Sequence, residues 1–275
     1  MPNSTTSPAV DTVDDLRAVF FDLLQVGGRT AIPTAVDHAY EMIWRQLIRG
    51  ERQPGERLTD TELALQLGLS RTPVRQALHR LAQEDLIRLD ARRGFSVRAF
   101  SANDVIEIYQ VRAVLEVLAL RLAAPLLTEE QIQEQFEVLH RVREALRVER
   151  DDRSVLLHLE ADLKLHNLLI QTSGNGLLIR LLAGLRSQQT LFQYWDTSYP
   201  ERNEAAADEH EVILRALAEG DTSRAEVLLE QHIVNARIRV LMDLFGITAE
   251  SQHPADKQKR KSPPESPADP VGATV

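Results

Sequence analysis

Ser70-Arg71-Thr72-Pro73-Val74-Arg75-Gln76-Ala77-Leu78-His79-Arg80-Leu81 is the stretch on which the reading of the fold turns. Val74, Ala77, Leu78 and Leu81 share one face of a helix, which leaves Thr72, Arg75, Gln76 and His79 pointing outward and Arg71 on the flank. Ser70 is a natural N-cap, and Pro73 is tolerated in the first turn because the earliest helical N–H groups have no intrahelical acceptor. This is the layout of a recognition helix entering the major groove, where an arginine can bond guanine O6 and N7 together. An Arg-bearing amphipathic helix is also an ordinary solvated surface helix, so its neighbours decide between the two.

Upstream, Val36, Tyr40, Ile43 and Ile48 predict a first helix, and Thr61 to Leu67 a second, closed by Gly68. Downstream, Leu86 to Leu89 and Phe95 to Arg98 alternate around Asp90, Ala91, Arg92, Arg93 and Gly94, as in a small β-hairpin. Three helices followed by a hairpin make a winged helix-turn-helix domain over residues 31–100. The charge agrees: residues 37–98 hold eleven arginines against nine acids, a balance of +2, so a chain of net charge −9 carries −11 elsewhere.

The rest reads as helix throughout, in six segments near 102–124, 129–149, 152–172, 176–198, 201–219 and 222–245. Ser101 with Asp104, and Thr128 with Gln131, resemble capping boxes, and Gly174, Gly220 and Gly246 stand where helices stop. The fold class is therefore mainly α: an N-terminal winged helix-turn-helix plus a C-terminal all-α bundle over 101–246. Residues 1–30 form an N-terminal extension with a short amphipathic helix around Leu16 to Leu24. Five of the twelve prolines crowd the last 22 positions, so 247–275 reads as a disordered tail, with Lys257, Lys259, Arg260 and Lys261.

Composition narrows the function. With no cysteine among 275 residues, there is no disulfide, thiolate nucleophile or cysteine metal site, and any metal must use His, Asp or Glu. No run approaches 18 uncharged apolar residues, and Asp11, Asp14 and Asp15 fall where a signal peptide needs a basic start, so a cytoplasmic protein with no membrane partner is expected.

Four polar residues interrupt the apolar seams of the bundle. One seam runs Val155, Leu159, Asp162, His166, Leu169; another Ala206, His210, Ile213, Leu217; a third Ala225, Leu229, His232, Ala236. A buried unpaired carboxylate is costly, and each histidine alone is more often a satisfied core residue than a ligand. Jointly, Asp162, His166, His210 and His232 suit a divalent metal ion: zinc, nickel, manganese or iron. His140 and His158 fall off the seams and are expected at the surface. Arg112 interrupts a further seam, Val105, Ile108, Arg112, Leu115, Ala119, Leu122. Its fork could hold an effector carboxylate beside the metal or make an internal salt bridge, for instance to Glu116.

Pro54-Gly55-Glu56-Arg57-Leu58, Thr61 to Leu69, Ser70 to Leu78, and Leu86-Ile87 with Arg92-Arg93-Gly94-Phe95-Ser96-Val97 resemble the winged-helix domain of the GntR transcriptional regulators. Tyr109 to Glu116, Asp162-x3-His166, Ser173-Gly174-Asn175, Glu209-His210 and His232 resemble the FCD ligand-sensing domain of the FadR subfamily. The resemblance implies that Arg71, Thr72 and Arg75 read bases and phosphates, that Gly94 at the wing tip approaches the minor groove, and that a small carboxylate binds beside the metal. Thr61 departs from members with an arginine there, so operator sequence does not carry over.

The expected function is thus a non-enzymatic regulator, with a repressor the commoner arrangement. A homodimer would bind a short inverted repeat in double-stranded DNA through Arg71, Thr72, Arg75, Gln76, His79, Arg92, Arg93 and Gly94. A small organic carboxylate, gripped by Arg112 at the metal of Asp162, His166, His210 and His232, would modulate it. Two rivals stand: a metalloenzyme fused to a DNA-binding module, and a metal sensor for which the ion is the signal. The enzyme reading lacks a nucleophile motif, a phosphate-cradling loop and an obvious general base.

Overall fold

The structure, a computed structural model, describes residues 34–148, 152–196 and 200–247. The expected N-terminal amphipathic segment and basic C-terminal tail lie outside the described residues.

Helix α1 (Ala35–Ile48) starts at Thr34, whose hydroxyl accepts from Asp37 N while the Asp37 carboxylate accepts from Thr34 N. Strand β1 (Arg57–Leu58) leads into α2 (Asp60–Leu67), and α3 (Arg71–Gln83) follows. Gly68 between α2 and α3 has φ of 64°, the left-handed conformation that lets the chain turn sharply there. Ser70 occupies the N-cap position of α3 with extended backbone, but its hydroxyl makes no capping bond. Strands β2 (Ile87–Asp90) and β3 (Gly94–Val97) form the expected hairpin. The sheet gains a third strand: β1 pairs antiparallel with β3, in the order β1-β3-β2. Two residues are too few to show an alternating pattern, so β1 left no periodicity to read.

The bundle comprises α4 (Ala102–Ala123), a 3-10 turn (Ala124–Leu126), α5 (Glu129–Val148), α6 (Asp152–Thr172), α7 (Gly176–Asp196), α8 (Pro200–Ala218) and α9 (Thr222–Phe245). Ser101 and Asp104, and Thr128 and Gln131, bond reciprocally as capping boxes. Gly246 ends α9 at φ of 62°.

Apolar burial organises the molecule into three clusters. The largest holds the bundle together, with Val105, Leu120, Val142, Leu165, Ile213, Leu229 and Val240 among its members. A second, formed by Tyr40, Ile43, Leu63, Val74, Leu78, Leu81, Ile87 and Phe95 of the winged domain, also takes in Leu159 and Leu163 of α6 and Leu191 of α7. The winged domain therefore shares its core with the two bundle helices that approach it. A small third cluster joins Ala119 of α4, Ile170 of α6, and Leu178 and Leu182 of α7. Polar bonds reinforce the junction. Glu84, at the end of α3, accepts from Tyr40 Oη at 2.5 Å and Ser187 Oγ at 2.6 Å, and its carbonyl accepts from Gln188 Nε2 at 3.0 Å. No helix among the described residues is long and apolar enough to cross a membrane.

Candidate metal centre and nucleic-acid interface

Asp162 and His166 are one turn apart on α6; His210 comes from α8 and His232 from α9. All four are buried, and one ligand atom from each lies within 4.8 Å of the others. Asp162 Oδ1 is 3.6 Å from His166 Nε2, 3.3 Å from His210 Nε2 and 3.7 Å from His232 Nε2. His232 Nε2 is 3.3 Å from His166 Nε2 and 3.2 Å from His210 Nε2. Donors held about 2.1 Å from one tetrahedral ion sit about 3.4 Å apart, so this donor set fits a divalent metal in size and in chemistry. The described residues thus contain a buried His/Asp cluster that could hold an ion.

The sequence reading missed what stands behind the histidines. His166 Nδ1 meets the Glu116 carboxylate, and His232 Nδ1 is 2.7 Å from Glu209 Oε2. Carboxylates on the outer ring nitrogens orient a ligand imidazole and make it a better donor. Glu116 and Glu209 therefore support the cluster and are not free as general bases. Asn235 Nδ2 donates to the other Glu209 oxygen at 2.6 Å, which fixes that carboxylate in turn. His210 Nδ1 is buried with no hydrogen-bond partner among the described residues.

Charge inside the cluster is sharply divided. Burial would raise the Asp162 carboxyl, but His166 and the hydrogen bonds from the three imidazoles hold it well below the usual range. Burial alone would lower His166; the Glu116 and Asp162 carboxylates outweigh it and bring the imidazole up to about 9. Burial, joined by the neighbouring His232, pushes His210 down to about 3. A cation entering the cluster would take the place of the proton on His166, as metal ligation by neutral imidazole requires.

Arg112 is 1 % exposed on α4. Its Nε donates to Glu116 Oε1 at 2.7 Å, and its Nη2 lies 3.3 Å from His166 Nε2. The internal salt bridge allowed by the sequence is therefore present, yet Nη1 remains buried with no partner among the described residues. One guanidinium edge is tied down, and another N–H group is left beside the donor cluster. Burial would raise the Glu116 carboxyl, but Arg112 and His166 hold it down at about 2.

One expectation fails. His140 is exposed as expected, but His158 is buried, 4 % exposed, and its Nδ1 has no partner among the described residues. Helix α6 runs between the winged domain and the rest of the bundle, so positions beside its seam are covered too. Burial outweighs the pull of Asp162 and pushes the His158 imidazole down to about 4.

On the winged domain, Arg71, Thr72, Arg75, Gln76 and His79 of α3 are exposed, as are Arg92 and Arg93 in the turn before Gly94. Arg71 Nη2 is 3.1 Å from Asp60 Oδ1, and the His79 ring packs edge-on against Phe95 at 5.1 Å. The wing turn is held by Asp90 Oδ1, which accepts from the backbone of Arg92 and Arg93 at 2.8 Å each, and Gly94 supplies a φ of 77°. Two cations escaped the sequence reading: Arg57 and Arg88 flank Ser96 across the sheet and are exposed. The strand register that aligns them depended on β1.

A winged helix-turn-helix domain with an exposed basic recognition helix, joined through a shared core to an all-helical domain, defines a DNA-binding transcriptional regulator. The described family "Bacterial regulatory proteins, gntR family" matches residues 35–97, and the FCD domain matches residues 107–235. The chain belongs to the GntR family of transcriptional regulators, in the FCD-bearing arrangement consistent with a FadR-like subfamily. It is 29 % identical over 195 residues to the "Uncharacterized HTH-type transcriptional regulator YdhC" of Bacillus subtilis, spanning 71 % of this chain and 84 % of that protein. It is also 29 % identical over 203 residues to the "Probable D-xylose utilization operon transcriptional repressor" of Paenarthrobacter nicotinovorans, spanning 73 % and 86 %. Its fold is similar to that of E. coli McbR/YncC, with a TM-score of 0.63 at 22 % identity over 77 % of this chain and 99 % of that one.

Proposed function

We propose that this chain is a cytoplasmic, homodimeric repressor whose hold on a short inverted-repeat operator is modulated by a small organic carboxylate. The effector would bind at a divalent ion held by Asp162, His166, His210 and His232, with Arg112 gripping its carboxylate. The observation that carries this reading is the buried Arg112 Nη1, a guanidinium N–H without a partner among the described residues, beside four converging metal donors. The ion would supply a Lewis-acidic anchor for one carboxylate oxygen. Arg71, Thr72, Arg75 and Gln76, with His79 at the edge, would face the major groove, while Arg92, Arg93 and Gly94 would place the wing against the adjacent minor groove.

The shared core supports a route between the sites. Helix α6 carries Asp162 and His166 towards the donor cluster and Leu159 and Leu163 into the winged domain's core. Phe192 stacks on Tyr109 and meets Phe100 edge-on, and the Arg112 guanidinium lies 5.5 Å from the Tyr109 ring. A ligand that shifts α4 or α6 would therefore bias the seating of the winged domain, and linkage makes the effect reciprocal. The name of the Paenarthrobacter nicotinovorans relative supports repression as the sign.

The test is operator affinity at fixed salt in metal-loaded protein, with acids added singly, for the parent and Arg112→Gln. A carboxylate should weaken operator binding by the parent and do so far less for the variant. A response to metal alone, indifferent to every acid, would establish the ion as the signal. An equal response in both proteins would reduce Arg112 to its salt bridge with Glu116.

A further inference from the structure

Five consecutive polar residues, Arg186 to Thr190, are buried in the second half of α7. Each polar group so placed needs a partner. Ser187 and Gln188 find theirs on Glu84 of the winged domain. Arg186 serves a different side of the helix: its Nη2 donates to Asn167 Oδ1 at 3.0 Å, and Asn167 directly follows His166. One turn further along α7, Gln189 Nε2 and Thr190 Oγ1 are buried with no partner among the described residues.

The small apolar cluster of Ala119, Ile170 and Leu182 places this arginine. One turn from that layer towards the winged domain lie Glu116 and Arg112 on α4, His166 on α6 and Arg186 on α7. The charges of both Glu116 and Arg112 act on Arg186. A single buried carboxylate thus stands between two buried guanidinium groups.

With neutral imidazoles and a divalent ion in place, Arg112, Arg186 and the ion contribute four positive charges, against the two negative charges of Glu116 and Asp162. Glu209, the other nearby acid, faces its own cation, Arg239, at 3.6 Å. A buried surplus of two positive charges is stable only with matching anions. The inference rests on the metal-and-carboxylate reading above and narrows its ligand.

We propose that Arg186 is a second anion-holding residue of the effector site, so that the effector carries two acidic groups, one at the ion and Arg112 and the other at Arg186. The second group may be tested as carboxylate or phosphate, since a guanidinium fork pairs with either.

The probes are acetate, succinate, glutarate and 2-phosphoglycolate, titrated calorimetrically into the full chain loaded with zinc, with bound metal assayed afterwards. In the parent, at least one dianion should bind more than tenfold tighter than acetate; dicarboxylate preference assigns a carboxylate at Arg186, phosphoglycolate preference a phosphate. In Arg186→Gln the ratio of acetate to dianion dissociation constants should fall towards one, and Arg186→Lys should restore part of it. A ratio unchanged in Arg186→Gln overturns the proposal. Should that variant lose its fold or its metal, the parent decides: acetate binding without preference for any dianion overturns this proposal alone. Binding of none of the four probes overturns the carboxylate-effector reading and this proposal with it.

Discussion

Replacing Glu209 by Gln removes one negative charge from behind His232 while keeping the side chain's size. In the structure that carboxylate sits 2.7 Å from His232 Nδ1 and is fixed on its far side by Asn235. A glutamine can still offer its carbonyl to His232, and Asn235 can present its own carbonyl to the new amide, so the packing has a way to survive. What is lost is the charge that makes the imidazole a stronger donor. Losing such an outer partner weakens metal binding about 10- to 100-fold, or about 1.4 to 2.8 kcal/mol. Glu209 keeps 23 % of its side chain exposed, against 3 % for Glu116, so solvent screening places the expected loss near tenfold. Glu116→Gln is the poorer test, because it would also strip the buried partner from Arg112. The assay is zinc titration of the full chain in competition with a chromophoric chelator, with circular dichroism as the check on folding. His210→Ala, which deletes a ligand, should lose far more, and His140→Ala should match the parent. An affinity within twofold of the parent for Glu209→Gln would refute the argument that this carboxylate tunes the centre. Equal affinity in all four proteins would refute the centre itself.

Arg75→Ala should weaken specific operator binding by about 1 to 3 kcal/mol at fixed salt if Arg75 makes a bidentate base contact; unchanged affinity would remove it from the reading surface. Val111, Val114 and Leu118 expose an apolar stripe on α4, at 49 %, 70 % and 36 %, which a second copy would cover. Sedimentation should show Val114→Glu weakening the dimer more than about tenfold, since a glutamate there would be buried without a partner; an unaltered dimer would place the interface elsewhere. His158 predicts a pH effect. Its folded pKa is depressed from 6.5 to about 4, so the folded state binds fewer protons than the unfolded chain, and stability present above pH 6.5 is lost as pH falls towards 4. Between pH 7.5 and 5.5 that loss is about 1.3 kcal/mol. Urea denaturation in the presence of chelator should show a smaller drop by about that amount in His158→Leu, and an identical drop in both proteins would contradict the burial of a neutral imidazole.

Much of this protein could be read along the chain because helices are local. The 3.6-residue period, the Ser101–Asp104 and Thr128–Gln131 boxes and the stopping glycines located the six bundle helices, and the interrupted seams singled out Asp162, His166, His210 and His232. Periodicity assigns a residue to a face of its own helix. It says nothing about how far that face is covered by others or which side chains meet across the gap. His158 looked exposed by its angle on α6, and only the insertion of α6 between two cores buried it. Glu116 and Glu209 became partners of histidines 50 and 23 residues away through helix crossings. Arg186 was carried beside Arg112 in the same way. β1 exists only because β3 offers it an edge. Those meetings depend on the azimuth and separation of packed elements, which the summed burial of the whole chain sets and no local pattern records.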